Sequence, residues 1–90
     1  MHDWLLVEVK YAWADKECLL MFINRHSEVK EIYAKGVEYI VIPHKEEWGA
    51  TSSVNEVGIS DLVTGLTELT IEMQSGDIIT IHAEGFDGLE

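Results

Sequence analysis

Thr67–Ala83, TELTIEMQSGDIITIHA, limits the fold more than any other stretch, because its residues carry the register of a β-hairpin. Leu69, Ile71 and Met73 alternate with Thr70, Glu72 and Gln74, which is the period of two of a half-buried strand. Beyond the turn, Ile79, Ile81 and Ala83 alternate with Thr80 and His82. Loop length decides whether the two apolar stripes share a face. A two-residue loop of Ser75-Gly76 pairs Ile71 with Thr80 and Leu69 with His82, and so splits them. A three-residue loop, Gln74-Ser75-Gly76, pairs Ile71 with Ile79 and Leu69 with Ile81, and sets Gly76 where the chain turns left-handed. The second is expected.

The remaining segments mostly read as strands too. Trp4–Trp13 alternates Leu5, Val7, Val9, Tyr11 and Trp13 with Glu8, Lys10 and Ala12. After the polar, turn-like Ala14–Glu17, the run Cys18–Asn24 is apolar on both faces, and an even-length loop pairs Tyr11 with Leu20 and Val9 with Phe22. Leu19, Met21 and Ile23 then share the other, half-apolar face with Glu8 and Lys10, which leaves room for another sheet or a second copy of the chain. Ser27–Gly36 admits a helix capped by Ser27 and stopped by Gly36, or a strand over Val29–Ala34. The helix would have only about eight residues, too few to hold without strong packing. Neighbouring strands on both sides favour the extended form.

Val37–Ile42 is strand-like and ends at Pro43, His44–Ala50 is a charged loop, and Thr51–Val57 is β-permissive. Ile59–Gly65 reads as a connection, with one helical turn near residues 59–64 started by Ser60. The tail from Gly85 is expected to fray. About seven short antiparallel strands predict an all-β sandwich or small partly open barrel.

Ninety residues make one domain, residues 1–88, with Leu89-Glu90 read as a cloning scar. Apolar residues at 47% and three tryptophans suffice for one core. Cys18 is alone, so no internal disulfide forms, and a small domain without such staples suits a reducing, cytoplasmic compartment. The opening MHDWLLVEV lacks the basic region of a signal peptide. No apolar run approaches the ~18–20 residues of a membrane span.

Charge is one-sided. Of a formal net charge of −11, residues 1–45 carry six Lys and Arg against seven acids, a net of −1, while residues 46–90 carry ten acids and no Lys or Arg. A phosphate backbone would repel such a chain, because binding there depends on cations displacing counterions. Nucleic acid is an unsuitable partner. A basic protein partner suits it, steered by Glu46, Glu47, Glu56, Asp61, Glu68 and Glu72 with Trp48 as an aromatic anchor. Solubility and protection of sheet edges are the plainer account of the same acids.

HDWLLVEVKYAW, IPHKEEWGATSSVNEV and LTIEMQSGDIITIHA together resemble segments of a group of small uncharacterised bacterial all-β proteins. The resemblance spans His2–Trp13, Pro43–Val57 and Leu69–Ala83, and implies β structure over residues 29–42 as well. In that group a proline commonly follows the glycine of the middle segment, where this chain has Ala50. The group implies no activity. Size, acidity and the His-Asp opening are similar, as an analogy, to immunity proteins of polymorphic toxin systems.

His44–Glu56 is the candidate site. His44, Trp48, Gly49, Ser52, Ser53, Asn55 and Glu56 bring stacking and hydrogen-bonding groups to one loop that leads into a strand. The structural alternative has Trp48 plugging the core, Gly49 permitting a turn and the polar residues lining an edge strand. His2, His26, His44 and His82 show no metal-ligand spacing, so no metal or cofactor is expected. His82 is expected to be an exposed residue opposite Glu68 and Thr70. Cys18 lies in an apolar run and reads as a packed thiol rather than a nucleophile. Seventeen acids make chance carboxylate pairs uninformative, and no dinucleotide, phosphate-loop, serine-hydrolase or EF-hand pattern is present. The expectation is a non-enzymatic protein-interaction domain, with a small ligand-binding domain or enzyme centred on His44–Glu56 as the alternative.

Overall fold

Alternating apolar residues become six antiparallel strands in the computed structural model, which describes residues 3–43 and 53–89. They are β1 (Leu5–Ala12), β2 (Glu17–Ile23), β3 (Val29–Val41), β4 (Val54–Asp61), β5 (Thr67–Met73) and β6 (Ile78–Asp87). Together they make one sheet in the order β1-β2-β3-β6-β5-β4. Among the described residues there is no helix, and so none long and apolar enough to cross a membrane.

The β5–β6 hairpin has the expected register, with Ile71 opposite Ile79 and Leu69 opposite Ile81. Its loop is Gln74-Ser75-Gly76: Met73 N–H donates to the Asp77 carbonyl at 2.8 Å, and Gly76 has φ +99°. Both apolar stripes therefore enter the core. Asp77 is buried in the turn, where its carboxylate accepts a hydrogen bond from Ser75 Oγ at 3.0 Å.

The β1–β2 hairpin keeps its expected parity but not its register. Tyr11 faces Cys18 and Val9 faces Leu20, because the loop is Trp13–Lys16 and Glu17 already belongs to β2. Glu17 is held there by pairing with Lys35 and by accepting the hydroxyl proton of Tyr33. A bulge between Leu6 and Glu8 changes which residues point inward. Trp4 and Leu6 pack against the core, the Trp4 ring 6.0 Å from that of Phe22, while Leu5 and Val7 remain exposed.

Strands expected separately over Val29–Ala34 and Val37–Ile42 are one long β3, which reduces the expected seven to six among the described residues. Gly36, read as a possible helix stop, instead takes φ +65° within the strand, and a bulge follows between Val37 and Tyr39. The first part of β3 pairs with β2 and the second with β6. One strand thus serves two neighbours, and the sheet coils at the join.

The expected helical turn near residues 59–64 does not form. β4 runs through Asp61, with Val57 opposite Ile71 and Ile59 opposite Leu69, so pairing with β5 overrides the short helical signal. A turn follows, in which Gly65 N–H donates to the Leu62 carbonyl at 3.1 Å. The tail is likewise ordered: β6 reaches Asp87, and Leu89 packs against the core, partly buried, rather than lacking a structural role.

The two outer strands of the sheet meet at one corner. Asp3 N–H donates to the Val54 carbonyl at 2.9 Å, Val54 N–H donates to the Trp4 carbonyl at 2.7 Å, and Leu5 bridges Ser53. A single sheet whose edges are tied at one end is a partly open barrel. Its interior holds Cys18, Leu20, Phe22, Ile32, Val54, Leu69, Ile71 and Ile81, each all but inaccessible to water.

Candidate functional site

Gly58 creates a depression on the outer face of the sheet, because it is the one position in its cross-strand row without a side chain. Three rows cross that face. Glu56, Glu72 and Ile78 form one, Gly58, Thr70, Thr80 and Val41 the next, and Ser60, Glu68, His82 and Tyr39 the third. The depression encloses about 370 Å³ and is lined by Glu56, Val57, Gly58, Thr70, Glu72 and Ile78. A Cβ on Gly58 would stand 2.9 Å from Thr70 Oγ1, so even alanine would crowd its floor.

The expected segment divides at this place. Ser53 belongs to the barrel seam, where its carbonyl accepts Gln74 N–H at 2.8 Å. Asn55 lies at a bulge between Val54 and Glu56, and its Nδ2 donates to Glu72 Oε1 at 2.8 Å. Glu56 lies directly opposite Glu72. His44, Trp48, Gly49 and Ser52, together with Glu46, Glu47 and His2, lie outside the described residues.

Glu72, Gly58, Thr70 and Ile78 complete the depression, and of these the sequence had singled out only Glu72, for its charge. The hairpin register implied Glu72 beside Ile78. Nothing in the sequence located Gly58, because the bulge at Asn55 sets the β4 register. Chemically, the depression offers the carboxylates of Glu56 and Glu72 as acceptors toward a cationic or hydrogen-bond-donating group, beside the Thr70 hydroxyl, which donates to the Gly58 carbonyl at 3.4 Å. Like charges directly opposite on neighbouring strands repel, and neither Glu56 nor Glu72 has a described Lys or Arg within ion-pair distance.

In the third row His82 stands opposite Glu68 as expected, with Nε2 2.8 Å from Glu68 Oε2. Its side chain is 25% exposed rather than open, because the Tyr39 ring of β3 covers it at 4.9 Å. Among the described residues no three His, Cys, Asp or Glu side chains gather around a point that could hold a metal ion.

On the other half of the barrel, three lysines form local pairs. Lys16 Nζ is 3.2 Å from Glu38, Lys35 Nζ is 3.1 Å from Asp87, and Lys10 Nζ is 3.9 Å from Glu8. Leu19, Met21 and Ile23 are half-buried on the outer face of β2, among Glu8, Lys10 and the residues of β3.

Cys18 is packed in the core as expected, and burial pushes its thiol above the ordinary value of 9.0. The Tyr33 hydroxyl is raised above 10.0 first by its hydrogen bond to Glu17, then by desolvation and the negative charges of Glu17 and Asp15. Both groups keep their protons to higher pH in the folded chain than in the unfolded one. Their contribution to stability is therefore complete below about pH 9 and lost as pH rises through the folded values. The urea midpoint should hold from pH 7 to 8.5 and fall steadily from pH 9 to 11, and Tyr33→Phe should flatten the upper part of that fall. A midpoint unchanged at pH 11 would contradict both placements.

Comparison with known proteins finds no matching family model, curated protein or solved structure.

Proposed function

We propose that the chain is a non-enzymatic protein-interaction domain that attracts a basic protein partner, in the manner of an immunity-type inhibitor. One observation carries this reading: the strand order keeps the charge asymmetry of the sequence intact in space. β1, β2 and β3 lie together and, with the turns that join them, hold every described Lys and Arg, whereas β6, β5 and β4 lie together and hold none. Glu56, Asp61, Glu68 and Glu72 of β4 and β5 thus have no Lys or Arg on the strands beside them among the described residues. A field of one sign over one face speeds encounter with a partner of the other sign and is weakened by salt.

A partner captured from the host on immobilised protein provides the test. Its association rate should fall by about tenfold or more between ~0.05 and ~0.5 M salt, while its dissociation rate changes little. Replacing Glu56, Glu68 and Glu72 together by glutamine should lower the low-salt rate toward the high-salt one. A partner whose association is indifferent to salt removes the electrostatic basis of the proposal.

The depression beside Asn55 and Glu56 favours a second reading, a small ligand-binding site at the end of the His44–Glu56 segment. Binding of a small cationic compound that shifts the amide signals of Gly58 and Thr70 would support it.

A further inference from the structure

Resting on the acidic-surface reading, the edge of β4 suggests how a partner attaches. We propose that β4 accepts an extended basic segment of the partner as an added strand, over Glu56–Asp61. β4 is the last strand of the sheet and bonds to β5 on one side only. On its other side the seam with β1 engages Ser53 and Val54 and goes no further. From Glu56 to Asp61 the outward backbone N–H and C=O groups meet no strand among the described residues. Such a row is a template for one more strand.

The side chains along this edge specify the occupant. EVGISD contains neither lysine nor proline, the residues that commonly blunt an exposed edge. Val57 and Ile59 lie on the core-facing side, yet Ile59 is 55% exposed, with no strand beside it beyond β4 among the described residues. Gly58 lies between them on the outer side, over the depression bordered by Glu56 and Glu72. An added strand alternates its side chains in the same way. Apolar side chains would extend the Val57–Ile59 row, and a lysine or arginine between them would lie across Gly58 toward the two carboxylates. The segment recognised reads apolar–basic–apolar. A second copy suits the edge less well, since it brings Glu56 and Asp61 against the same two acids and a net charge of −11 against −11.

The test uses the whole chain and a blocked heptapeptide, Thr-Val-Lys-Val-Arg-Val-Thr, titrated at low salt. Binding should shift the amide resonances of residues 56–61 and slow their hydrogen exchange. N-methylation of one alternate set of peptide residues should weaken binding about tenfold or more, and methylation of the other set should matter little, because only one set faces β4. Ile59→Lys, at an exposed position, should weaken binding similarly while leaving the remaining spectrum unchanged. Equal binding of both methylated peptides, with shifts spread over β5 and β6, would overturn the added strand and leave the acidic-surface reading standing. No binding of the heptapeptide or of polylysine would sink both. A concentration-dependent dimer in sedimentation that Ile59→Lys dissolves would assign the edge to a second copy and overturn the proposal.

Discussion

Replacing Phe22 with alanine should cost about 3–5 kcal/mol, the largest loss expected from truncating any one side chain among the described residues. Phe22 has the bulkiest fully buried side chain among the described residues. It faces Leu6 across the β1–β2 ladder, and the Trp4 ring tilts against it at 6.0 Å. Removing the ring forfeits its transfer energy and leaves a cavity that the barrel cannot easily close. The strands around it are held at fixed spacing by their backbone hydrogen bonds, so the wall cannot move in. Ordinary domains of this size have a total stability on the order of 5–13 kcal/mol, so the loss would be about a quarter of it or more. At an m-value of ~1–1.5 kcal/mol/M, the urea midpoint should fall by about 2–5 M. Trp4 beside the cavity gives a fluorescence signal for the transition. Phe22→Leu, which keeps most of the volume, should fall by less than half as much. A midpoint that moves by under ~0.5 M for the alanine variant would mean that Phe22 does not occupy the centre of the barrel.

Alanine at Gly36 should be far more costly than alanine at Gly76, although both glycines have positive φ. At Gly76, φ +99°, nothing lies within 4 Å of an added Cβ, so the cost is that of the left-handed backbone alone, about 1–2 kcal/mol. At Gly36, φ +65°, the same Cβ would meet the Glu84 side chain, with Cγ at 2.6 Å and Cβ at 2.9 Å. The end of that side chain can swing away, but its Cβ is fixed to β6. The β3–β6 pairing must therefore open slightly, which brings the expected loss to about 2–4 kcal/mol. Parallel urea titrations of the two variants provide the check. Equal midpoints would show that Glu84 yields freely and that only backbone strain acts at Gly36.

Gly36 also shows why part of the fold escaped a reading of the sequence. A glycine after Lys35 resembles the end of a short helix, and the same glycine serves equally as a left-handed residue inside a bent strand. Only the partners on either side distinguish the two: β2 pairs with the chain before Gly36, and β6 pairs with the chain around and after it. The bulge at Leu6–Glu8 had the same effect on the first strand. Alternation alone assigned Leu5 and Val7 to the inside, and one extra residue moved Trp4 and Leu6 there instead. The chemistry of Asn55 and Glu56 marks them in the sequence as candidates only. Their meeting with Glu72 depends on a bulge that no periodicity reveals.

By itself, the sequence determined what depends on near neighbours along the chain: the β5–β6 register, the inward parity of β2, and the division of charge at residue 45. Those follow from side chains alternating every two residues and from the length of one turn. Only the tertiary structure decided that β3 joins the two halves of the sheet, that β1 meets β4 at Ser53 and Val54, and that β4 beyond Glu56 has no second strand beside it among the described residues. The physical reason is that pairing between distant segments depends on bulges, on coiling and on which strand reaches a free edge, and local alternation is blind to all three.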